Sequence, residues 1–348
     1  MANPSTSQTS TGVLLVNLGS PEAPTPDAVG PYLKEFLMDP EVVDIPAVLR
    51  WILVHVLIVP RRAKASAALY QKIWTEDGSP LLANSRAFTN AVAEEFENAN
   101  LRIALGMRYG KPSIQSALED LEPQKLDRLI VFPLYPQYAQ SSTLTVKNKV
   151  REVIRALPGS IPEPEWIEPF YHDACYIEAV RAVSEGPLKD FDPDLALFSF
   201  HGVPERHLKR EHATCLATPG CCDQITEVNR NCYRAQCIAT ARSVAEALEI
   251  PSERYTVAFQ SRLGRTPWIQ PFTDHVIQAL PGRGIKRLAV LSPSFVADCL
   301  ETLDEIENRE RERFLAAGGD ELILIPSLNS DPAWVQAAAG MIRGAIGR

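Results

Sequence analysis

The sequence predicts an α/β protein: two similar doubly wound domains, each around a parallel sheet, flanking a central cleft. Three observations lead there. Short apolar runs suited to buried strands alternate with longer helical runs, the order that gives parallel sheets covered by helices. The two halves of the chain also echo each other. In the first, a strand ends in Asn17-Leu-Gly-Ser-Pro21. Ala104-Leu-Gly-Met-Arg-Tyr-Gly-Lys-Pro112 comes next, then another strand, Pro136-Gln-Tyr138 and a helix. In the second, a strand ends in His201-Gly-Val-Pro204. Phe259-Gln-Ser-Arg-Leu-Gly-Arg-Thr-Pro267 comes next, then another strand, Ser294-Phe295 and a helix. Finally, a histidine and an acidic helix succeed two apolar strands, at the sheet edge where ligands bind in open α/β sheets.

In order, strands are expected at 12–18, 102–107 and 128–134 in the first half. In the second half they are expected at 195–200, 255–260, 287–291 and 322–325. Helices are expected at 26–38, 83–97, 114–121, 145–156, 176–183, 232–247, 267–279, 298–314 and 332–346. Residues 1–11 have neither a basic nor an apolar region and read as a disordered tail, not a signal peptide. The first domain then covers 12–170 and the second 171–330, with a cysteine-rich insertion at 207–237 and a terminal helix at 331–348. Prolines and charges interrupt the apolar pattern between 162 and 190, where the boundary is placed. The repeat is far too long for a solenoid.

The 348 residues carry a net charge of −8 with no long basic run, which argues against nucleic acid as a partner. No stretch is long enough to span a bilayer, so a cytoplasmic protein is expected. One apolar segment stands out, Val48 to Pro60 around Trp51. It reads either as a buried helix or as an exposed lip that meets an apolar ligand or a membrane surface.

His201 ends an apolar strand and precedes a glycine turn. Asp298, Glu301 and Glu305 are spaced to share one face of an α-helix, where like charges repel unless solvated or bound to a cation. Asp298 suits a helix-capping role, and Glu301 and Glu305 a cation. Imidazole and carboxylate together can hold a divalent metal and move protons. Arg62, Tyr70 and Ser79 come after the apolar segment, and Arg108 and Tyr109 end another strand. They suit a cationic and aromatic rim around a flat anionic ligand. Five of seven cysteines, Cys215, Cys221, Cys222, Cys232 and Cys237, fall in one polar stretch. Without secretion, disulfides are not expected. An iron–sulfur cluster, a zinc site and incidental thiols are the readings open to them.

With these motifs in order, the chain resembles the ferrochelatases, which insert ferrous iron into a porphyrin to make haem. The resemblance runs over nearly the whole chain after the tail. It is carried by Leu15-Val-Asn-Leu-Gly-Ser-Pro21, Gly78-Ser-Pro80, Gly106-Met-Arg-Tyr109, Tyr135-Pro-Gln-Tyr138 and Phe200-His201-Gly-Val-Pro204. Gln260-Ser-Arg-Leu-Gly-Arg-Thr-Pro-Trp268 and Phe295-Val-Ala-Asp-Cys-Leu-Glu-Thr-Leu-Asp-Glu305 complete it. The Asp-Cys-Leu-Glu-Thr-Leu form looks like the enzymes of Gram-negative bacteria.

The resemblance implies two Rossmann-like halves around a cleft. It makes His201 and Glu301 the metal and catalytic pair, with Glu305 behind them, and puts Arg62, Tyr70 and Ser79 against the porphyrin. Many members have a histidine where this chain has Cys299. Animal members hold a [2Fe–2S] cluster through a C-terminal extension, whereas this chain has no cysteine after Cys299. Some bacterial members are thought to hold it in an internal insertion like this one. Four thiolates suffice, and Cys237 is the expected spare, since members without a cluster can have cysteine there. Adjacent Cys221 and Cys222 are awkward on one small cluster, so the choice of four stays open. The reaction expected is iron insertion into protoporphyrin IX with loss of two protons. The rivals are a chelatase for coproporphyrin III or another tetrapyrrole, and a non-catalytic iron–sulfur or haem-sensing protein.

Overall fold

The computed structural model describes residues 10–97, 100–216, 220–262, 264 and 266–348. The tail expected at 1–11 lies, up to residue 9, outside the described residues. The first sheet contains β1 (Thr11–Asn17), β2 (Leu101–Met107), β3 (Arg128–Pro133) and β4 (Pro164–Trp166), in the spatial order β2-β1-β3-β4. The second contains β5 (Leu195–His201), β6 (Tyr255–Gln260), β7 (Arg287–Leu291) and β8 (Glu321–Leu324), in the order β6-β5-β7-β8. Every pairing is parallel. The two orders are the same once four is added to each strand number, which is the internal echo of the sequence made physical.

The helices of the first half are α1 (Pro26–Met38), α2 (Ala47–Ile52), α3 (Val59–Ile73), α4 (Pro80–Glu94), α5 (Ile114–Asp120) and α6 (Thr145–Ala156). Those of the second are α7 (Ala174–Phe191), α8 (Glu205–Glu211), α9 (Tyr233–Ala247), α10 (Thr273–Ala279), α11 (Arg311–Ala316) and α12 (Pro332–Ile346). Wider π-helical turns occupy Leu53–Ile58, Gln140–Leu144 and Glu301–Glu310. Several helix starts are set by local chemistry. Asp173 accepts from the amides of Cys175 and Tyr176, and Asp331 from that of Ala333, with Pro332 in the first turn. The helix expected at 267–279 begins only at Thr273, because Pro271 disfavours helical backbone before it. Strand β4, three residues beside prolines, had no apolar run to announce it.

Both faces of each sheet are covered, as parallel sheets require. Alternate residues of the first sheet feed different cores: Val13, Leu15, Ile130 and Phe132 one, Leu14, Val16, Leu129 and Val131 the other. The first of these cores also takes Phe198 and Phe200 of β5 and Tyr176 of α7, and the terminal helix α12 closes it. Trp334 is fully buried and stacks on Phe88 and Phe170 at centroid distances of 5.3 and 5.5 Å. Arg128 donates to the carbonyls of Ala345 and Ile346 at 3.0 and 2.6 Å. Removing the Trp334 ring would cost about 3–5 kcal/mol.

Candidate active site

The carboxyl ends of β1, β3, β5 and β7 converge on one cleft of about 810 Å³. Its walls are largely apolar, including Leu18, Phe36, Leu81, Leu134, Val203 and Phe295. Among the described residues, His201 is the only imidazole and Glu301 the only carboxylate on that wall; Cys299, Tyr135 and Tyr233 also line it. Two glycines make the strand ends fit. Gly19 has φ +103°, and a Cβ there would fall 1.8 Å from the carbonyl oxygen of Tyr109. At Gly202 a Cβ would come within 2.8 Å of the Gln260 carbonyl oxygen. These close approaches are why Asn17-Leu-Gly and His201-Gly occur where they do.

His201 is the last residue of β5. Its Nδ1 lies 2.6 Å from the Gly202 carbonyl oxygen. A carbonyl only accepts, so Nδ1 carries the hydrogen, and in the neutral ring Nε2 keeps its lone pair. The backbone is pinned as well: Ser294 Oγ accepts from the His201 amide at 3.3 Å, and Tyr233 Oη donates to its carbonyl at 2.8 Å.

The acidic segment departs from the α-helix assumed for it. Only Leu300 is α-helical before the π-helical turns begin at Glu301. The π-helix bonds i to i+5, which rotates each carboxylate relative to α-helical spacing. Glu301 therefore lines the cleft and Glu305 does not. Glu305 accepts from the Ser261 amide at 3.1 Å and from the Ser261 hydroxyl, with Arg309 3.7 Å away. Asp298 precedes the helix and is buried. Its carboxylate accepts from Thr302 Oγ1, the Ser327 amide and Asn329 Nδ2 at 3.1, 3.2 and 2.8 Å. It fixes the connection after β8 and does not share a face with the glutamates. Gln260 donates to the Glu301 carbonyl at 2.8 Å, tying the π-helix to β6.

The segment 47–73 is one helical arm, with Val48, Leu49, Trp51, Ile52, Val56 and Leu57 exposed. The exposed-lip reading describes its geometry; Val54 and Val59 turn inward, against Leu37. Arg62 is exposed on α3, whereas Tyr70 is buried against Tyr32, edge to face at 6.5 Å. Burial, then the Glu301 charge, pushes the Tyr70 phenol well above its usual range, which places that ring beside the cleft acid. Ser79 is buried at the start of α4. Arg108 and Tyr109 are engaged elsewhere: Asp39 accepts from the Arg108 guanidinium, from Tyr109 Oη at 2.9 Å and from Thr145. Asp39 had no sequence signal, being one acid among many; only the fold gathers three donors on it.

The cysteines come together in part. Cys215 and Cys232 sulfurs lie 3.6 Å apart, as do those of Cys221 and Cys222. A hydrogen bond with Cys232, then burial, pushes the Cys222 thiol up, so the two pairs lie near enough to feel each other. Cys237 lies within α9, fully buried in the apolar core. Cys175 is exposed and Cys299 buried. Among the described residues no three His, Cys, Asp or Glu side chains are arranged to hold one metal ion; the thiols meet two by two.

Two parallel sheets whose strand ends face across an apolar cleft, with an imidazole and a carboxylate on its wall, define a two-domain chelatase. The same fold occurs in the sirohydrochlorin chelatase SirB of Bacillus subtilis subspecies spizizenii in complex with cobalt. The TM-score is 0.55 at 12% identity, over 97% of this chain and 95% of that one. The Ferrochelatase family model matches residues 10–346. The ferrochelatase of Coxiella burnetii is 46% identical over 338 residues, covering 96% of this chain and 94% of that protein. That of Azotobacter vinelandii is 46% identical over 335 residues, covering 95% and 98%. The chain belongs to the ferrochelatase family, the metal chelatases of haem biosynthesis. No helix among the described residues is long and apolar enough to cross a membrane.

Proposed function

We propose that this chain inserts ferrous iron into protoporphyrin IX, forming haem and releasing two protons. The observation that carries the reading is the pairing of His201 with Glu301 on the wall of an otherwise apolar cleft. A flat macrocycle needs such a wall, and metallation needs a group to receive pyrrole protons beside it. Each pyrrole N–H that ionises leaves its electron pair on nitrogen. The dication takes both pairs, so charge balances when two protons leave. His201 Nε2, with its lone pair free, accepts a proton or meets the incoming ion. Glu301 supplies the second site. Glu305, held by Ser261 behind it, supports the local charge. Contact with the apolar walls stabilises a bent macrocycle. Among the described residues no Lys or Arg lines the cleft, which favours protoporphyrin IX over the more acidic coproporphyrin III.

The five clustered cysteines support a resident [2Fe–2S] cluster on Cys215, Cys221, Cys222 and Cys232. Two sulfurs on one tetrahedral metal, each about 2.3 Å from it, stand about 3.8 Å apart. Both thiol pairs meet that spacing at 3.6 Å, two per iron, as this cluster type needs. When bound, the cluster supplies a cross-link to the lobe and a one-electron redox centre. The exposed lip at 48–57 supports contact with an apolar surface, a membrane or the porphyrin on its way in.

The test is anaerobic metallation by purified protein with ferrous iron and each porphyrin. Haem should form from protoporphyrin IX with the higher kcat/KM. Preference for coproporphyrin III would reassign the substrate, and no product from either would remove the enzymatic reading.

A further inference from the structure

The backbone of His201 is held from outside its own sheet. Its carbonyl, at the end of β5, takes a hydrogen bond at 2.8 Å from Tyr233 Oη. A strand-end carbonyl must find a partner, and here the partner is the first residue of α9. The Tyr233 ring is buried and lines the same cleft as His201 and Glu301.

The residue before it is Cys232, which occupies the cap position of α9, its sulfur 3.6 Å from that of Cys215. One peptide bond therefore joins the thiol lobe to the residue that holds the histidine. The rest of α9 is clamped to the first domain. Gln236 Oε1 accepts from the Tyr138 amide at 2.6 Å, and Gln137 donates to Thr240 Oγ1 at 2.9 Å. The body of the helix is thus anchored one turn further on, and the Cys215–Cys232 contact holds its first turn. A shift of about 0.5 Å at Cys232 would stretch the Tyr233 bond past ordinary hydrogen-bond length.

We propose that Tyr233 is a positioning residue for His201, and that the thiol lobe sets its position, so that the state of the lobe is transmitted to the imidazole. The inference rests on the proposed role of His201, but its physical core is independent of turnover.

The test uses the protein as purified, Tyr233→Phe, Cys215→Ser and the double variant. The His201 ring signal is followed by nitrogen-15 NMR, assigned by its loss in His201→Gln, alongside kcat and porphyrin KM. Tyr233→Phe removes one oxygen and keeps the ring's packing. It should shift the His201 signal and lower kcat on the order of ten- to a hundredfold, with KM unchanged. Cys215→Ser should shift the same signal, and the double variant should be no worse than the poorer single one. Unchanged His201 signal and kcat in Tyr233→Phe overturn the positioning role, whatever happens to the cysteine variant. Multiplying losses in the double variant overturn the link to the lobe. If no variant and no wild type turns over, the NMR arms still decide this inference, while the metallation reading fails separately.

Discussion

The two sheets share a strand order but differ in the segments inserted after their central strands. After β1 the chain runs through α1 and the apolar arm of 47–73 before reaching β2. After β5 it runs through α8 and the thiol lobe before reaching β6. The two insertions thus leave equivalent strand ends, one greasy and exposed, the other polar and sulfur-rich. The strand ends differ in the same sense. Asn17 closes β1 and donates to Ser85 Oγ at 3.1 Å, whereas His201 closes β5, lines the cleft and bonds the Gly202 carbonyl through Nδ1. A duplicated scaffold supplies the cleft, and the chemistry resides in residues and loops that the halves do not share. The insertions also meet: Asp44, ahead of the lip, accepts from Arg206 and pairs ionically with Arg210 at 2.8 Å, both on α8.

The sharpest way to break the comparison is to make the second strand end like the first. His201→Asn should fold normally by circular dichroism and lose iron insertion by about 10²–10⁴-fold, the worth of a positioned proton acceptor. Glu301→Gln should lose on the order of a hundredfold. Wild-type turnover in either would remove that residue from the chemistry.

The lobe comes next. Anaerobically purified protein should be red-brown, with two irons and two sulfides per chain, as the cluster type requires. Cys215→Ser and Cys232→Ser should bleach it and lower its melting temperature, whereas Cys237→Ala should keep the colour. Bound zinc without acid-labile sulfide would contradict the cluster and leave the family assignment untouched.

The junction between the insertions has a pH signature. His207 on α8 is buried, with the Asp44 carboxylate 3.9 Å from Nε2 and no hydrogen-bond partner for either ring nitrogen among the described residues, and burial lowers its pKa from 6.5 to about 4. The unfolded chain therefore binds a proton that the folded protein refuses between those values. Stability should rise with pH across that window and be lost as pH falls from about 6.5 to about 4. His207→Leu should flatten this part of a urea-midpoint profile, and an unchanged slope would clear His207 of the effect.

The smallest effect on stability belongs to the lip. Trp51→Ser with Leu57→Ser, or Arg62→Ala, should move stability by no more than about 0.5 kcal/mol, since these side chains are exposed. The same changes should raise porphyrin KM, and the lip pair should weaken co-sedimentation with anionic vesicles. Unchanged KM and vesicle binding would leave the lip without the role proposed for it.

Much of this was legible in the sequence because parallel sheets write themselves in short apolar runs. Strands β6 and β7 fall at the expected residues, and β1, β2, β3, β5 and β8 within one. Helices α1, α6 and α12 match their expected limits. The strand-end motifs were legible too, since glycine is required where a backbone passes within reach of a carbonyl, as at Gly19 and Gly202. Residue types and their order along the chain thus determined the α/β class, the internal repeat, His201 and the acidic segment. Tertiary structure alone decided which side chains meet. It turned Glu301 into the cleft and Glu305 toward Ser261, because the π-helical pitch follows from packing and not from local propensity. It set α12 into the core that both sheets share, with Trp334 against Phe88 of α4 and Tyr176 of α7. It brought Tyr233 to the carbonyl of a histidine 32 residues away, and three donors from distant segments to Asp39. Such contacts depend on where separate segments dock, which no local spacing encodes.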